Sequence, residues 1–165
     1  MRRSVVASAI AIVFSLIAPA SADTSVQREV TSLVQRGAAL ANENFESIRK
    51  ADRNGQAYDV YDIPSLKSPD LGWCVLGDGL DARTLFCHIR GRGALNATVA
   101  YYLPAIRRGL PTLYKKVDCP AGSQRGPSYC EAWSTSGPRH TLILALILQG
   151  DGGRYVVNLD FRNKL

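Results

Sequence analysis

The pair Cys74 and Cys87 constrains the fold of this chain more than any other feature of its sequence. The two cysteines lie in the two arms of a predicted β-hairpin, which turns at Asp78-Gly79. If Gly77 pairs with Thr84, the same register places Cys74 directly opposite Cys87. Residues that face each other across antiparallel strands have the short separation that a disulfide needs. We therefore predict a cross-strand disulfide in this hairpin.

A second pair of cysteines, Cys119 and Cys130, brackets a segment rich in Gly, Pro and Ser. Four cysteines allow three pairings, and we expect 74–87 with 119–130 because each bond joins neighbours across one connection. Closing the second loop would remove entropy from the unfolded chain, which stabilises the fold by on the order of 3 kcal/mol. The spacings of 13 and 11 residues lack the close ligand pairs of structural zinc sites, and no C-x-x-C occurs. We predict disulfides and no bound metal.

The amino terminus has the layout of a cleavable export signal. Arg2 and Arg3 give a positive start, residues 5–18 form an apolar run too short to span a bilayer comfortably, and Ala20-Ser21-Ala22 has the small residues that a signal peptidase reads. The mature chain is predicted to begin at Asp23. We expect a periplasmic or secreted protein, a compartment in which disulfides form.

Length and charge favour one mildly basic domain. Removal of the signal, 1–22, leaves residues 23–165, which suffice for a single hydrophobic core. Lys+Arg falls from 20 to 18 against 14 acidic residues, so the formal charge falls from +6 to +4. This charge is compatible with weak affinity for anionic lipid, glycan or nucleic acid. No transmembrane segment is predicted in the mature chain, and the oligomeric state stays open.

The hydrophobic patterns predict an α+β protein with the order αβββαβββ. Apolar residues recur at helical spacing over 25–50 and again from about 95 to 110, where Pro104 is expected to kink or restart the helix. The segment 112–117 is expected to be extended. Period-two alternation and short apolar runs predict six strands, at 57–63, 73–77, 84–90, 129–135, 141–148 and 154–161. The simplest packing is one antiparallel sheet with both helices on one face.

Two groups of side chains are candidates for binding. Tyr129, Glu131 and Trp133 alternate along one strand and share a face. If that face is buried, Glu131 needs a partner; if it is open, the three form an aromatic and acidic recognition patch. Arg90 and Arg92 lie in an Arg-Gly-Arg-Gly segment whose glycines would let the backbone approach an anion.

Catalytic motifs are scarce. The sequence has no phosphate-binding loop, no dinucleotide fingerprint, no metalloprotease helix and no nucleophile elbow, so no cofactor is predicted. His88 and His140 are the weak catalytic candidates, as the base and acid of a ribonuclease-like enzyme acting on an anionic polymer. The function we expect is instead that of a small exported, disulfide-stabilised, non-catalytic binding or inhibitor-type protein of the cell envelope, with an envelope or extracellular protein as a partner. A structural envelope component is the remaining alternative.

Overall fold

The computed structural model describes residues 24–46, 50–51, 60–61, 72–78, 82–121, 128–136 and 140–164. The predicted export signal, 1–22, lies outside the described residues. The elements follow in chain order: α1 (Thr24–Asn42), β1 (Lys50–Ala51), β2 (Val60–Tyr61), β3 (Gly72–Asp78), β4 (Ala82–Arg90), α2 (Leu95–Gly109), β5 (Lys115–Val117), β6 (Tyr129–Ser134), β7 (Thr141–Gln149), a 3-10 turn (Asp151–Gly153) and β8 (Tyr155–Lys164).

Six strands form one antiparallel sheet in the order β3-β4-β8-β7-β6-β5. This confirms the predicted α+β class with its two helices and six-stranded antiparallel sheet. The continuous apolar run that forms β7 and the alternating β8 lie at the middle of the sheet, where each strand is paired on both sides. Such positions suit β-branched and aliphatic side chains that pack against both neighbours.

The predicted hairpin register, and the cysteine pairing that follows from it, are confirmed. Gly77 pairs with Thr84 and Cys74 with Cys87, and the two cysteines form a disulfide with their Cα atoms 4.0 Å apart. The second predicted disulfide, Cys119–Cys130, is also formed, with a Cα–Cα distance of 6.3 Å.

The sixth strand of the sheet comes from a different segment than the alternation indicated. Only Val60–Tyr61 of the predicted strand 57–63 lies within the described residues, and it pairs with Lys50–Ala51 in a separate two-stranded sheet. Lys115–Val117, expected only to be extended, joins the main sheet as the edge strand beside β6. Its three side chains are all exposed, so it carries no alternating burial pattern that a sequence could reveal.

The hydrophobic core lies between the two helices and one face of the sheet. Val157, Leu159 and Phe161 of β8 are fully buried at its centre. A Cβ atom added to Gly37 of α1 would lie 2.6 Å from the Phe161 ring, so the helix packs directly on this strand. The helices contribute their own fully buried side chains, among them Val30, Val34, Ala38, Ala105 and Ile106. Burial of one large aliphatic side chain contributes roughly 1.5–3 kcal/mol.

The first helix ends eight residues earlier than its hydrophobic spacing predicted. Asn44 and Phe45 adopt left-handed backbone angles, with φ of 52° and 58°. The N–H of Phe45 donates to the Leu40 carbonyl at 2.7 Å and that of Asn44 to the Ala41 carbonyl at 3.1 Å, which is the Schellman arrangement of a helix end. Phe45 lies just after the helix end and is fully buried in the core. The apolar spacing in the sequence therefore continues beyond the last helical residue.

The second helix passes through Pro104 without interruption, so the predicted restart does not occur. It is joined to α1 by side chains: the Thr31 hydroxyl donates to the Ala105 carbonyl at 3.0 Å, and the Gln27 amide donates to the Tyr101 carbonyl at 3.0 Å. The last residue, Gly109, sits where the two helices come closest. A Cβ atom there would lie 2.6 Å from the Thr31 carbonyl oxygen.

We predict that Gly109→Ala destabilises the protein by about 1–3 kcal/mol, because the added methyl group forces the helices apart, although alanine is the better helix former. Urea denaturation followed by circular dichroism measures the change. Gly77→Ala is the matched control, since a Cβ atom at Gly77 has no neighbour within 4 Å. Equal stability of the two variants would contradict the close helix contact.

Candidate binding site

The strand that was predicted to carry a recognition patch turns that face inward. Glu131 is 3% exposed and Trp133 is 5% exposed, beneath the helices, while Tyr129 is partly buried. In the register of the sheet, Glu131 is paired with Ala145 and Trp133 with Ile143, and both partners belong to the core. Because this face is buried, Glu131 needs a partner for its charge, as expected for that case.

Glu131 has three partners. Arg107 of α2 holds the carboxylate through two N–H groups, with its Nε 3.1 Å from Oε2 and its Nη2 bonded to Oε1. Lys116 of β5 donates to Oε1 at 3.2 Å, and the Tyr129 hydroxyl donates to the same oxygen at 2.6 Å. A planar guanidinium with two parallel bonds is the strongest form of this pairing. We call these four side chains the Glu131 cluster.

The charges of the Glu131 cluster keep the carboxylate ionised. Burial alone would raise the pKa of Glu131, but the hydrogen bonds from Arg107, Tyr129 and Lys116 outweigh it, and the pKa lies below its ordinary value. Burial, together with the neighbouring carboxylate, raises the pKa of the Tyr129 hydroxyl. A carboxylate held ionised by three donors does not act as an acid near neutral pH. The cluster instead joins α2 to the β5–β6 edge of the sheet.

The two histidines lie at opposite ends of the sheet. His88 pairs with Asn158 of β8, whereas His140 immediately precedes Thr141, which pairs with Asn163 of the same strand. Residues 158 and 163 are separated by about 17 Å at roughly 3.4 Å per residue. The structure therefore does not bring the two rings together. His140 is exposed, with its Nδ1 3.4 Å from the Thr135 carbonyl oxygen.

A cavity of about 480 Å³ opens at the end of the sheet where β4 ends and β8 begins. Its cationic lining side chains are Arg90 and Arg154, His88 contributes an imidazole, and no carboxylate is among the lining residues that the structure describes. The remaining described lining residues are Gly91, Gly150, Tyr155 and Val156. We call this the basic cavity. Its volume falls within the range of small-molecule sites, roughly 300–1,000 Å³.

Local backbone geometry builds the basic cavity. A Cβ atom at Gly91 would lie 1.9 Å from the Tyr155 carbonyl oxygen, so only glycine allows β4 and β8 to approach here. The Gly150 N–H donates to the Arg154 carbonyl at 2.7 Å and closes the turn that brings Arg154 beside the end of β4. The Arg90 carbonyl accepts a hydrogen bond from the Tyr102 hydroxyl at 2.8 Å. The backbone of both arginines is thus anchored.

His88 is held on both sides. Its Nδ1 lies 3.0 Å from the Asn158 amide oxygen; because that oxygen is an acceptor, Nδ1 carries the hydrogen and Nε2 stays outside this bond. The ring stacks against Trp73 of β3, with the centroids 5.3 Å apart and the planes 13° apart. Trp73 is 53% exposed. A fixed imidazole therefore stands between an exposed indole and the basic cavity.

Arg92, the second arginine of the predicted anion-binding segment, is directed towards α2. Its guanidinium lies 4.1 Å from the centre of the Tyr101 ring, a cation–π contact. Its backbone N–H donates to the Thr98 hydroxyl at 3.0 Å. The structure thus places Arg90, but not Arg92, among the described residues that line the cavity.

Sequence reasoning did not identify Arg154, Trp73 or Asn158 as site residues. The register of the predicted hairpin already implied the pairing of Trp73 with His88, because it is the pair next to Cys74–Cys87. Asn158 and Arg154 had no such signal, since they reach the site only through the pairing of β4 with β8, two strands far apart in sequence.

Comparisons with known proteins give no relative: no family model matches the chain, and it has no significant similarity to curated proteins or to solved structures. None of the described helices is long and apolar enough to cross a membrane. Within the described residues, no three His, Cys, Asp or Glu side chains come together in a way that could hold a metal ion. The two disulfides are compatible with an exported protein.

We predict that Glu131→Gln lowers stability at pH 7 by about 1–3 kcal/mol, because a charged acceptor of four hydrogen bonds from three side chains is lost. The folded-state pKa of Glu131 is lowered. Its contribution is therefore fully present above the ordinary value of 4.5 and is lost as the pH falls through the folded-state pKa. The gap between wild type and variant should thus narrow at pH 3. The midpoints of urea denaturation of both proteins at pH 7 and at pH 3 measure this gap in stability.

The control is Glu29→Gln, at an exposed position of α1. A gap between wild type and Glu131→Gln that is the same at pH 7 and pH 3 would contradict the role given to the ionised carboxylate.

Proposed function

We propose that this chain is a small exported, non-catalytic binding protein of the cell envelope that captures an anionic group in the basic cavity. The observation that carries the proposal is the convergence of Arg90, Arg154 and His88 on one cavity whose described lining contains no carboxylate. Arginine binds phosphate and carboxylate through paired N–H groups in a fixed plane. An anion in this cavity would be met by two such groups.

The scaffold supports a binding role. Arg90 ends β4 and Arg154 immediately precedes β8, and these two strands pair over nine residue positions, Ala82 to Arg90. A backbone that is already ordered needs no further ordering when a ligand binds, so the ordering cost is confined to the arginine side chains. The disulfide of the β3–β4 hairpin adds a covalent restraint next to the His88 and Trp73 pair.

A binding role is supported over catalysis by the distribution of reactive groups. The buried carboxylate Glu131 is engaged by its three donors, and His88 and His140 lie at opposite ends of the sheet. A ribonuclease-like mechanism needs a base and an acid on the same phosphate. No observation on the described residues favours that alternative or a purely structural role. Export, to a periplasm or to the medium, is supported by the signal-like amino terminus and by the two disulfides.

We predict that the disulfide-intact mature protein binds pyrophosphate in isothermal titration calorimetry, and that Arg90→Gln and Arg154→Gln each weaken this binding about tenfold. One charged hydrogen-bonding partner contributes roughly 1.5–3 kcal/mol, and tenfold corresponds to about 1.4 kcal/mol. The wild-type affinity should also fall as salt rises from low to physiological concentration, since part of the attraction is screened.

Lys115→Gln is the matched control, because it removes one positive charge from an exposed side chain of the opposite edge strand, β5. Equal weakening in all three variants would show attraction by net charge alone. That outcome, or the absence of pyrophosphate binding by the wild type, would overturn the proposed site.

A further inference from the structure

We infer that the anionic ligand is a single-stranded nucleic acid, with a phosphate in the basic cavity and an unpaired base stacked on Trp73. The inference rests on the proposed function, because it assigns a chemical class to the ligand of the same cavity. It brings in a neighbouring surface, the exposed ring of Trp73 in the β3–β4 hairpin, which the proposed function does not use.

The hairpin presents an aromatic platform on the sheet face opposite the helices. Trp73 stacks on His88 and also lies against Phe86, with the ring centroids 5.7 Å apart and the planes tilted by 47°. Trp73 remains 53% exposed and its neighbour on this face, Val75, 43% exposed. An indole held rigidly by two other rings, yet half open to solvent, is a suitable surface for a nucleobase, because any base has a π-face to stack.

The platform and the cavity are continuous. His88 belongs to both, since its ring contacts Trp73 and also lines the basic cavity. Arg90 is two residues further along the same face of β4, about 7 Å from His88 at roughly 3.4 Å per residue. Arg154 lines the same cavity as Arg90. Along this surface the Trp73 ring is followed by the His88 ring and then by the Arg90 guanidinium. A site that stacks a base and holds its adjoining phosphate has this arrangement.

The chemistry of the lining favours a phosphate over a sugar polymer. The two charged side chains of the lining, Arg90 and Arg154, are guanidinium groups that donate hydrogen bonds and accept none. On the same face of the sheet, the Asn158 amide oxygen is engaged by His88, and buried Asp160 pairs with Arg162 at 2.6 Å. Sugar hydroxyls need acceptors as well as donors, whereas a phosphodiester presents acceptors alone. A donor-rich site therefore suits a phosphodiester better than a glycan.

A single strand fits this site better than a duplex. In a duplex the bases are stacked on one another and only their edges face the grooves. The Trp73 ring, which is stacked on His88, can stack further only on a base that is unpaired. The short platform, with Trp73 as its one strongly exposed aromatic ring among the described residues, predicts a contact with one or two nucleotides rather than a long binding track.

The test compares an oligothymidylate of eight nucleotides with an abasic oligomer of the same length and charge. Both are titrated by fluorescence anisotropy with the disulfide-intact mature protein, at low and at physiological salt. We expect the wild type to bind the oligothymidylate at least tenfold more tightly than the abasic oligomer. Trp73→Ala should abolish that preference, and Trp73→Tyr should restore most of it because the stacking ring returns.

Val75→Ala is the control, since Val75 lies on the same strand and face and is also exposed; the preference for bases should be unchanged in it. Intrinsic fluorescence adds a direct readout. The sequence has two tryptophans, and Trp133 is buried, so in Trp133→Phe the quenching of emission by the oligothymidylate reports stacking on Trp73.

The outcomes separate the two proposals. If pyrophosphate binds in an Arg154-dependent way but the oligothymidylate and the abasic oligomer bind equally, the inference is overturned and the proposed function stands. If neither pyrophosphate nor any oligomer binds, both are overturned. If heparin, a sulfated glycan, binds more tightly than the oligothymidylate and this depends on Trp73, the ligand class is a glycan and the inference is again overturned.

Discussion

The register in which β4 pairs with β8 is the constraint on which the rest of this structure depends. It sets Cys87 beside Leu159 on the helix side of the sheet and His88 beside Asn158 on the other side. Because side chains alternate along a strand, a slip of one residue would exchange the two sets and place the polar residues in the core. The same pairing brings Arg90 and Arg154 to one end of the sheet, so the core and the basic cavity are specified by one set of backbone hydrogen bonds.

Parts of the fold that are local in sequence could be predicted, and parts that arise from distant contacts could not. The hairpin register, both disulfides and the alternation of β8 followed from residues that are neighbours in the chain. The end of α1 did not, because left-handed angles at Asn44 and Phe45 interrupt an apolar spacing that continues beyond the helix. The three exposed residues of β5 join the sheet through their partner strand and not through a pattern of their own.

In the candidate site, too, local features could be predicted from the sequence and contacts between distant segments could not. The pattern of Tyr129, Glu131 and Trp133 correctly indicated a shared face, but the direction of that face depends on where α2 lies, and the sequence left it open. Arg90, chosen from a short basic segment, is one of the residues that line the cavity. Arg154 comes from a turn some sixty residues later in the chain, and only the assembled sheet brings the two arginines together.

The disulfide between β3 and β4 makes the proposed surface depend on the oxidation state of the protein. In the described sheet β3 is an edge strand, paired on one side only with β4, and it carries Trp73 next to Cys74. Before oxidation, hydrogen bonds and side-chain packing alone hold this edge in place. After oxidation, a covalent bond joins Cys74 to Cys87, the residues next to Trp73 and His88. In the reduced protein this surface therefore lacks its covalent restraint, so its geometry depends on the oxidation state of Cys74 and Cys87.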